Sequence, residues 1–188
     1  MLVCDNPTVK ILRKNQYQNN WLKQPMRSQH YRHWLIDKGS LTARLQLSFA
    51  DFAVKPVNLK VAKPLRDEVA LLQQRPHQRA LIREVLLIGN KNPVVFAHSV
   101  LPSNALRGSW NKLGRLGNKP LGATLFANPK VKRTPLAYKK LSRNHPLLRR
   151  VNHRLSANFD HLWARRSIFS LNCARILVTE IFLPRILK

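Results

Sequence analysis

Two pairs of β-length apolar runs constrain the fold of this chain more than any other feature of its sequence. The first run, 80–88, is joined to a second run, 93–100, by a short link that begins Gly89-Asn90. Glycine and asparagine together are typical of a tight hairpin connection. Near the C-terminal end, runs at 165–171 and 176–183 flank a short polar link. Two hairpins of this length predict an antiparallel sheet.

Helix signals lie before and between the two hairpins. The segment 29–37 reads as a short helix, after which Gly39 ends it and Ser40 caps a second one. Pro102 introduces another helical stretch, and a glycine-punctuated loop at 113–122 leads into one more. Helices grouped around antiparallel hairpins indicate an α+β fold.

Two further segments give weaker signals. Valines and a leucine recur among polar residues over 53–61, with Pro56 inside the run. A proline in such a run favours an edge strand that is interrupted or bulged there. The stretch 128–156 is basic, poor in acidic residues and contains three prolines, and no helix or strand is assigned to it.

Length and composition favour a single ordered domain. At 188 residues with 44% hydrophobic residues, a chain can bury about 70% of its unfolded surface in one core. Disorder of the whole chain is therefore disfavoured. Residues 1–28 are interpreted as a basic N-terminal extension and residues 29–188 as the domain.

The cysteines and the length of the apolar runs indicate the cellular compartment of the protein. Cys4 and Cys173 lie near opposite ends of the chain and match neither a disulfide framework nor a zinc spacing. No apolar run approaches the ~20 residues of a membrane-spanning helix, and residues 1–14 lack the apolar segment of a signal sequence. These features predict a soluble intracellular protein with no membrane span.

The charge imbalance raises an alternative class of function. Lysine and arginine number 34 against 8 acidic residues, for a formal net charge of +26. Such an excess is typical of proteins that bind polyanions. The cations are dispersed along the chain, however, and no nucleic-acid-binding motif accompanies them. We expect weak nonspecific polyanion binding and no specific nucleic-acid partner.

The few carboxylates narrow the search for a catalytic acid or base. Most of the eight acidic residues sit in polar surroundings, but Glu180 stands inside an apolar run. Arg83 and Glu84 interrupt another apolar run, and alternation places their side chains on opposite faces of the strand. A charge in such a position is either half of a buried ion pair or part of a functional site. For Glu180 both interpretations stay open.

Other constellations give no support for metal or covalent chemistry. His30 and His33 lie one helical turn apart without a third ligand at a suitable spacing, so surface histidines are favoured. The glycines at 114, 117 and 122 fit neither the dinucleotide fingerprint nor the P-loop. No nucleophile elbow is present, and Cys173 has no evident activating partner. No metal is expected.

Several segments, taken in order, resemble the chorismate pyruvate-lyase family. They are LIREVLL at 81–87, KLG at 112–114, PLGATLF at 120–126, LWARRS at 162–167 and LVTEIFLP at 177–184, with a fainter match at 34–35 and 40–44. Together they span about residues 34–184. The resemblance implies an antiparallel sheet with helices packed on it, and a small aromatic ligand enclosed beneath mobile flaps without any cofactor.

The resemblance also implies roles for four residues. The family's arginine for the ring carboxylate corresponds to Arg83, and the glutamate that reaches the para oxygen corresponds to Glu180. The leucine of the Pro-Leu-Gly motif, which contacts the ring, corresponds to Leu121. A methionine of the family corresponds to Leu41, a departure of similar apolar volume that affects fine ligand fit and not the reaction.

The implied activity is a carbon–oxygen lyase reaction that converts chorismate to 4-hydroxybenzoate and pyruvate. The product is a ring precursor of ubiquinone, so the implied setting is the cytoplasm of a bacterium, and a monomer is expected. Two alternatives on the same fold are a basic nucleic-acid-associated protein and a noncatalytic sensor of aromatic acids, such as regulator effector domains. A sequence alone does not choose between Glu180 as base and an intramolecular proton transfer.

Overall fold

An antiparallel sheet runs through the centre of the computed structural model, which describes residues 20–111, 113, 119–172 and 174–187. In this part of the chain the strand order is β1-β2-β3-β7-β6-β4, and β5 also pairs with β6. The strands are β1 (Ala53–Ala62), β2 (Ala80–Gly89), β3 (Asn92–Pro102), β4 (Lys132–Arg133), β5 (Ala137–Ser142), β6 (His161–Leu171) and β7 (Ala174–Phe182).

Short helices cover both faces of this sheet. They are α1 (Arg32–Leu35), α2 (Leu41–Ser48), α3 (Arg66–Leu72), α4 (Ser103–Arg107), α5 (Leu121–Ala127) and α6 (Pro146–Leu155), with 3₁₀ turns at Gln29–Tyr31 and Pro184–Leu187. The predicted α+β fold is confirmed, and so is the predicted cap, because the hydroxyl of Ser40 accepts from the backbone N–H of Ala43. None of the helices within the described residues is long and apolar enough to cross a membrane.

Both predicted hairpins are present, and their strands are longer than predicted. In the first, Gly89 pairs with Asn92, so only Asn90 and Lys91 form the loop. Both loop residues have positive φ, 47° and 65°, which matches the twist of a two-residue hairpin turn. In the second, β6 begins at His161 and β7 at Ala174, four and two residues earlier than the apolar runs indicate.

The predicted edge strand is confirmed at β1. It pairs only with β2 among the described strands, and the register shifts between Pro56 and Asn58. Proline has no backbone N–H to donate to a neighbouring strand, so an irregular register beside it on an edge strand is expected.

The basic stretch contains structure that the sequence did not predict. Both β4 and β5 lie in it and pair with β6. In β5, Lys139 and Lys140 interrupt the buried residues Tyr138 and Leu141, which hides the apolar alternation. Residues 20–28 also reach the sheet, where Trp21 is buried and Leu22 exchanges backbone hydrogen bonds with Tyr138. Because residues 1–19 lie outside the described part, the boundary at residue 28 stays a prediction.

Side-chain alternation divides the core between the two faces of the sheet. On one face, α1 and α2 pack over an apolar cluster that includes Val85 and Ala97. Farther along the same face, α4 and α5 pack over a second cluster that includes Phe169. The opposite face carries α3 and α6, over residues such as Leu86 and Phe96. The first face is thus left with a gap between its two apolar clusters.

Candidate active site

A pocket fills the gap between the two apolar clusters. Its floor is formed mainly by β2, β3 and β7, with one residue each from β1, β4 and β6, and its roof by the first turn of α2 and by α5. The lining residues are Leu41, Thr42, Val54, Arg83, Val85, Leu87, Ala97, Ser99, Pro120, Leu121, Gly122, Leu125, Phe126, Arg133, Phe169, Val178 and Glu180. The pocket is therefore mainly apolar with a few charged groups, as small-molecule sites usually are.

The strand register places Arg83 and Glu180 on the same face of the sheet. Arg83 pairs with Ser99, which in turn pairs with Val178, and Glu180 lies two residues farther along β7. Two strand spacings are about 10 Å and two residues about 7 Å. The two side chains therefore approach the pocket from different sides.

Arg83 is held at one end of the pocket. Its side chain is only 5% exposed, and Nη2 donates to the carbonyl oxygen of Lys119 at 3.0 Å. Burial lowers the pKa of Arg83, although the guanidinium remains charged near neutral pH. The contact with Lys119 fixes the guanidinium beside the start of α5, where Pro120 and Leu121 line the pocket.

The ion-pair interpretation of Glu180 is confirmed, and its role in a functional site stays a prediction. Glu180 forms an ion pair with Arg165, whose Nε lies 2.5 Å from Oε2 of Glu180, and it also lines the pocket. Arg165 is fully buried and donates from Nη1 to the carbonyl oxygens of Trp34 and Asp37. The sequence did not single out Arg165, because an arginine in an apolar strand does not reveal its partner.

Leu41 and Leu121 each begin a helix of the roof. Both side chains are buried and both line the pocket. The two helices meet at Gly122, where an added Cβ would lie 3.2 Å from the hydroxyl of Thr42 and 3.3 Å from that of Ser40. Glycine is therefore what allows α2 and α5 to close over the pocket. All four residues named from the resemblance line this one pocket.

Arg133 also lines the pocket and was missed. It stands on β4, with Nε donating to the hydroxyl of Ser167 at 2.8 Å and Nη1 to the carbonyl oxygen of Lys38 at 2.9 Å. Its guanidinium carbon lies 5.4 Å from the ring centre of Phe126 and 5.1 Å from that of Phe169. Burial lowers the pKa of Arg133, and the nearby Glu180 carboxylate partly offsets this effect. The basic stretch around Arg133 gave no signal that separated it from surface cations.

The opposite face carries a buried group of charges, as the alternation of Arg83 and Glu84 predicts. Both ring nitrogens of His98 lie 3.0 Å from a carboxylate oxygen, Nδ1 from Glu84 and Nε2 from Glu68. Nη1 of Arg150 donates to Glu84 at 2.8 Å. The sequence did not single out Glu68, which α3 carries under the sheet, where it is 2% exposed.

These contacts shift the pKa values of the buried group strongly. Burial alone would lower the pKa of His98, but the carboxylates of Glu68 and Glu84 outweigh it and raise the pKa to about 9. Burial would raise the pKa of Glu84, yet His98, Arg150 and Asn58 together lower it to about 2. The pKa of Glu68 is lowered for the same reason. The group is thus ionised at neutral pH.

Metal ligation has no candidate site within the described residues, where no group of three or more His, Cys, Asp and Glu side chains is arranged to hold an ion. His30 and His33 are both exposed. Gly114, Gly117 and both cysteines lie outside the described residues, so the interpretations placed on them are unchanged.

The fold and the pocket together define an α+β domain that encloses a ligand pocket beneath helical flaps on one face of an antiparallel sheet. Solved structures share this fold at low sequence identity. The effector domain of PhnF from Mycobacterium smegmatis matches with a TM-score of 0.54 and 13% identity, covering 78% of this chain and 90% of that one. A GntR-family transcriptional regulator from Bacillus cereus matches with a TM-score of 0.52 and 12% identity, covering 71% and 92%.

The chain belongs to the chorismate lyase family, whose sequence model matches residues 13–188. A probable chorismate pyruvate-lyase of Methylobacillus flagellatus is 48% identical over 170 residues, covering 90% of this chain and 96% of that protein. A second, from Nitrosospira multiformis, is 50% identical over 158 residues, covering 84% and 88%.

Proposed function

We propose that this chain converts chorismate to 4-hydroxybenzoate and pyruvate without a cofactor. The observation that carries the proposal is that Arg83 and Glu180 line one pocket, together with Leu41 and Leu121. These are the four positions at which the family resemblance assigns ligand contacts. Family membership and the high identity to probable chorismate pyruvate-lyases support the same activity.

Arg83 anchors the ring carboxylate in this proposal. A guanidinium offers two parallel N–H donors that match the two oxygens of a carboxylate. One nitrogen of Arg83 is already bonded to Lys119, so the side chain is oriented before substrate arrives. Preorganisation of this kind lowers the entropy cost of holding the reactive conformer.

Glu180 acts at the other end of the ring. The reaction breaks the C3–O bond of the enolpyruvyl ether and removes the C4 proton, and the ring becomes aromatic. Glu180 either accepts the C4 proton or hydrogen-bonds the C4 hydroxyl while the departing enolpyruvyl group takes the proton itself. In both routes the proton ends on the three-carbon fragment, which leaves as pyruvate, and no water is consumed.

The leucines and the roof complete the site. Leu41 and Leu121 hold the ring between apolar surfaces, and closure of α2 against α5 excludes water. In a dry pocket the contacts of Arg83 and Glu180 with the substrate are stronger than in solvent. The same closure slows release of the product, so opening of the roof is expected to limit turnover.

In this proposal the enzyme catalyses the first committed step of ubiquinone synthesis, in a bacterial cytoplasm and as a monomer. Chorismate is a dianion, and the net charge of +26 attracts it over distances of about a Debye length. The association rate is therefore expected to fall as salt is added, while weak nonspecific polyanion binding falls in parallel.

The test is direct. Purified protein is incubated with chorismate and a metal chelator, and 4-hydroxybenzoate and pyruvate are both measured, with Arg83→Ala as the paired control. Equimolar products that disappear in the variant support the proposal. Absence of products at every salt concentration would contradict it and favour ligand sensing or polyanion binding.

A further inference from the structure

Arg133 enters the pocket with its guanidinium already fixed in place. Nε is bonded to Ser167 and Nη1 to the carbonyl oxygen of Lys38, while two aromatic rings, Phe126 and Phe169, lie within cation–π distance. Among the described residues, Nη2 makes no hydrogen bond. A fixed arginine with one nitrogen still available is suited to receive an anion.

Arg133 brings a second arginine to the pocket besides Arg83. The charged lining residues in the described part of the chain are Arg83, Arg133 and Glu180. Glu180 is already paired with Arg165, which is fully buried behind it. The proposed function assigns Arg83 to the ring carboxylate, so Arg133 is the lining cation to which no group of the ligand has yet been assigned. A buried charge is costly unless it is paired, so an anionic group of the ligand beside Arg133 would be stabilised.

The strand order places the two arginines on either side of Glu180. Arg83 stands on β2, Glu180 on β7 and Arg133 on β4, in a sheet ordered β1-β2-β3-β7-β6-β4. An anion at Arg133 is therefore on the far side of Glu180 from an anion at Arg83. Chorismate has this arrangement, because its ring carboxylate is opposite C4, and its enolpyruvyl carboxylate hangs from the carbon next to C4.

We propose that Arg133 binds the enolpyruvyl carboxylate and makes the pocket select the dianionic substrate over the monoanionic product. This inference rests on the proposed lyase function and extends it. The contact is made by chorismate and is absent from 4-hydroxybenzoate, which has lost the enolpyruvyl group. Arg83, by contrast, contacts a carboxylate that substrate and product share.

The experiment compares substrate and product in the same variants. Arg133→Gln is expected to raise KM for chorismate by about 10- to 100-fold, the range of one charge-assisted contact, while the inhibition constant of 4-hydroxybenzoate changes by less than about threefold. Arg83→Gln weakens both ligands together. Arg133→Lys keeps the charge and recovers part of the affinity for chorismate. Lys132→Gln removes the same charge from an exposed neighbour on β4 and leaves both constants unchanged.

The outcomes separate this inference from the proposed function. If Arg133→Gln weakens substrate and product equally, or neither of them, Arg133 serves the packing of β4 and the inference fails while the lyase function stands. If the wild-type protein forms no 4-hydroxybenzoate, both fail. A selective loss of chorismate affinity with unchanged product inhibition supports the inference, because a merely structural role would not distinguish the two ligands.

Discussion

Arg165 connects Glu180 to the end of helix α1. Its Nε lies 2.5 Å from Oε2 of Glu180, and its Nη1 donates to the carbonyl oxygens of Trp34 at 2.9 Å and Asp37 at 2.6 Å. The last carbonyls of a helix have no partner within the helix and carry partial negative charge. One buried guanidinium therefore satisfies both the helix end and the carboxylate, and the position of Glu180 depends on how α1 packs.

Replacement of Arg165 by glutamine should destabilise the protein strongly. It leaves a half-buried carboxylate without its cation and three carbonyl oxygens, those of Trp34, Leu35 and Asp37, without this donor. Breaking a buried pair in this way costs about 3–5 kcal/mol. Urea unfolding measures the loss. Arg149→Gln removes an exposed cation on α6 and should change stability by less than about 0.5 kcal/mol. A loss below about 1 kcal/mol in Arg165→Gln would show that the pair is not structural.

Replacement of Glu180 by glutamine tests its place in the reaction. The amide has nearly the same shape but cannot accept the C4 proton, so kcat should fall by about 100-fold or more if Glu180 is the base. Steady-state kinetics with chorismate gives the value, and urea unfolding confirms that the variant is folded. Turnover near that of the wild type would rule out the base and leave the intramolecular proton transfer.

Long, strongly patterned segments made most of the fold predictable. The two hairpins, the proline-interrupted edge strand and the Ser40 cap depend on local signals that act within a few residues. Strands β4 and β5 depend instead on their partner β6, and Lys139 and Lys140 conceal the apolar alternation of β5. Pairing with a distant strand stabilises such a segment, and this pairing cannot be inferred from the sequence of the segment alone.

The candidate site was predictable only in part, because some of its residues carry a local sequence signal and others do not. Arg83 and Glu180 stand out because a charge inside an apolar strand is costly, and the family resemblance adds Leu41 and Leu121. Arg133 lies among many cations, and the backbone carbonyls that Arg165 contacts are about 130 residues away along the chain. Neither the enclosure of Arg133 nor the buried state of Glu68 has a local signature.

Replacement of Gly122 by alanine tests closure of the roof. The new methyl group would lie within about 3.3 Å of the hydroxyl groups of Ser40 and Thr42, which is closer than ordinary packing. These side chains, and α2 with them, are expected to shift away from α5 by a few tenths of an ångström. Overpacking of this kind costs about 1–3 kcal/mol. We expect kcat/KM for chorismate to fall about tenfold and product release, followed by stopped flow, to become faster.

The matched control for Gly122→Ala is Thr124→Ala. It also introduces a better helix former into α5, at a position exposed to solvent. It should raise the melting temperature slightly and leave kcat/KM unchanged. Equal kinetic effects of the two substitutions would mean that helix propensity, and not contact between the flaps, controls the roof.

The buried His98 should make stability depend on pH on the alkaline side. Its pKa is raised to about 9 from an unfolded value of about 6.5, so its contribution is complete below pH 6.5 and is lost as the pH rises through 9. Glu84, with its pKa lowered to about 2, contributes fully above about pH 4.5 and loses its contribution as the pH falls through 2. Between about pH 4.5 and pH 6.5 both contributions are complete, and the charges of Glu68, Glu84, His98 and Arg150 are mutually paired.

Urea unfolding at pH 6 and pH 9.5 checks the alkaline part of this argument. The free energy of unfolding of the wild type should fall by a few kcal/mol over this interval. In His98→Gln the fall should be much smaller, because no proton is then lost from the buried group, while the variant is already less stable at pH 6. His153→Gln removes an exposed histidine from α6 and should keep the full pH dependence. If wild type and His98→Gln lose stability equally, the buried histidine is not the group that titrates.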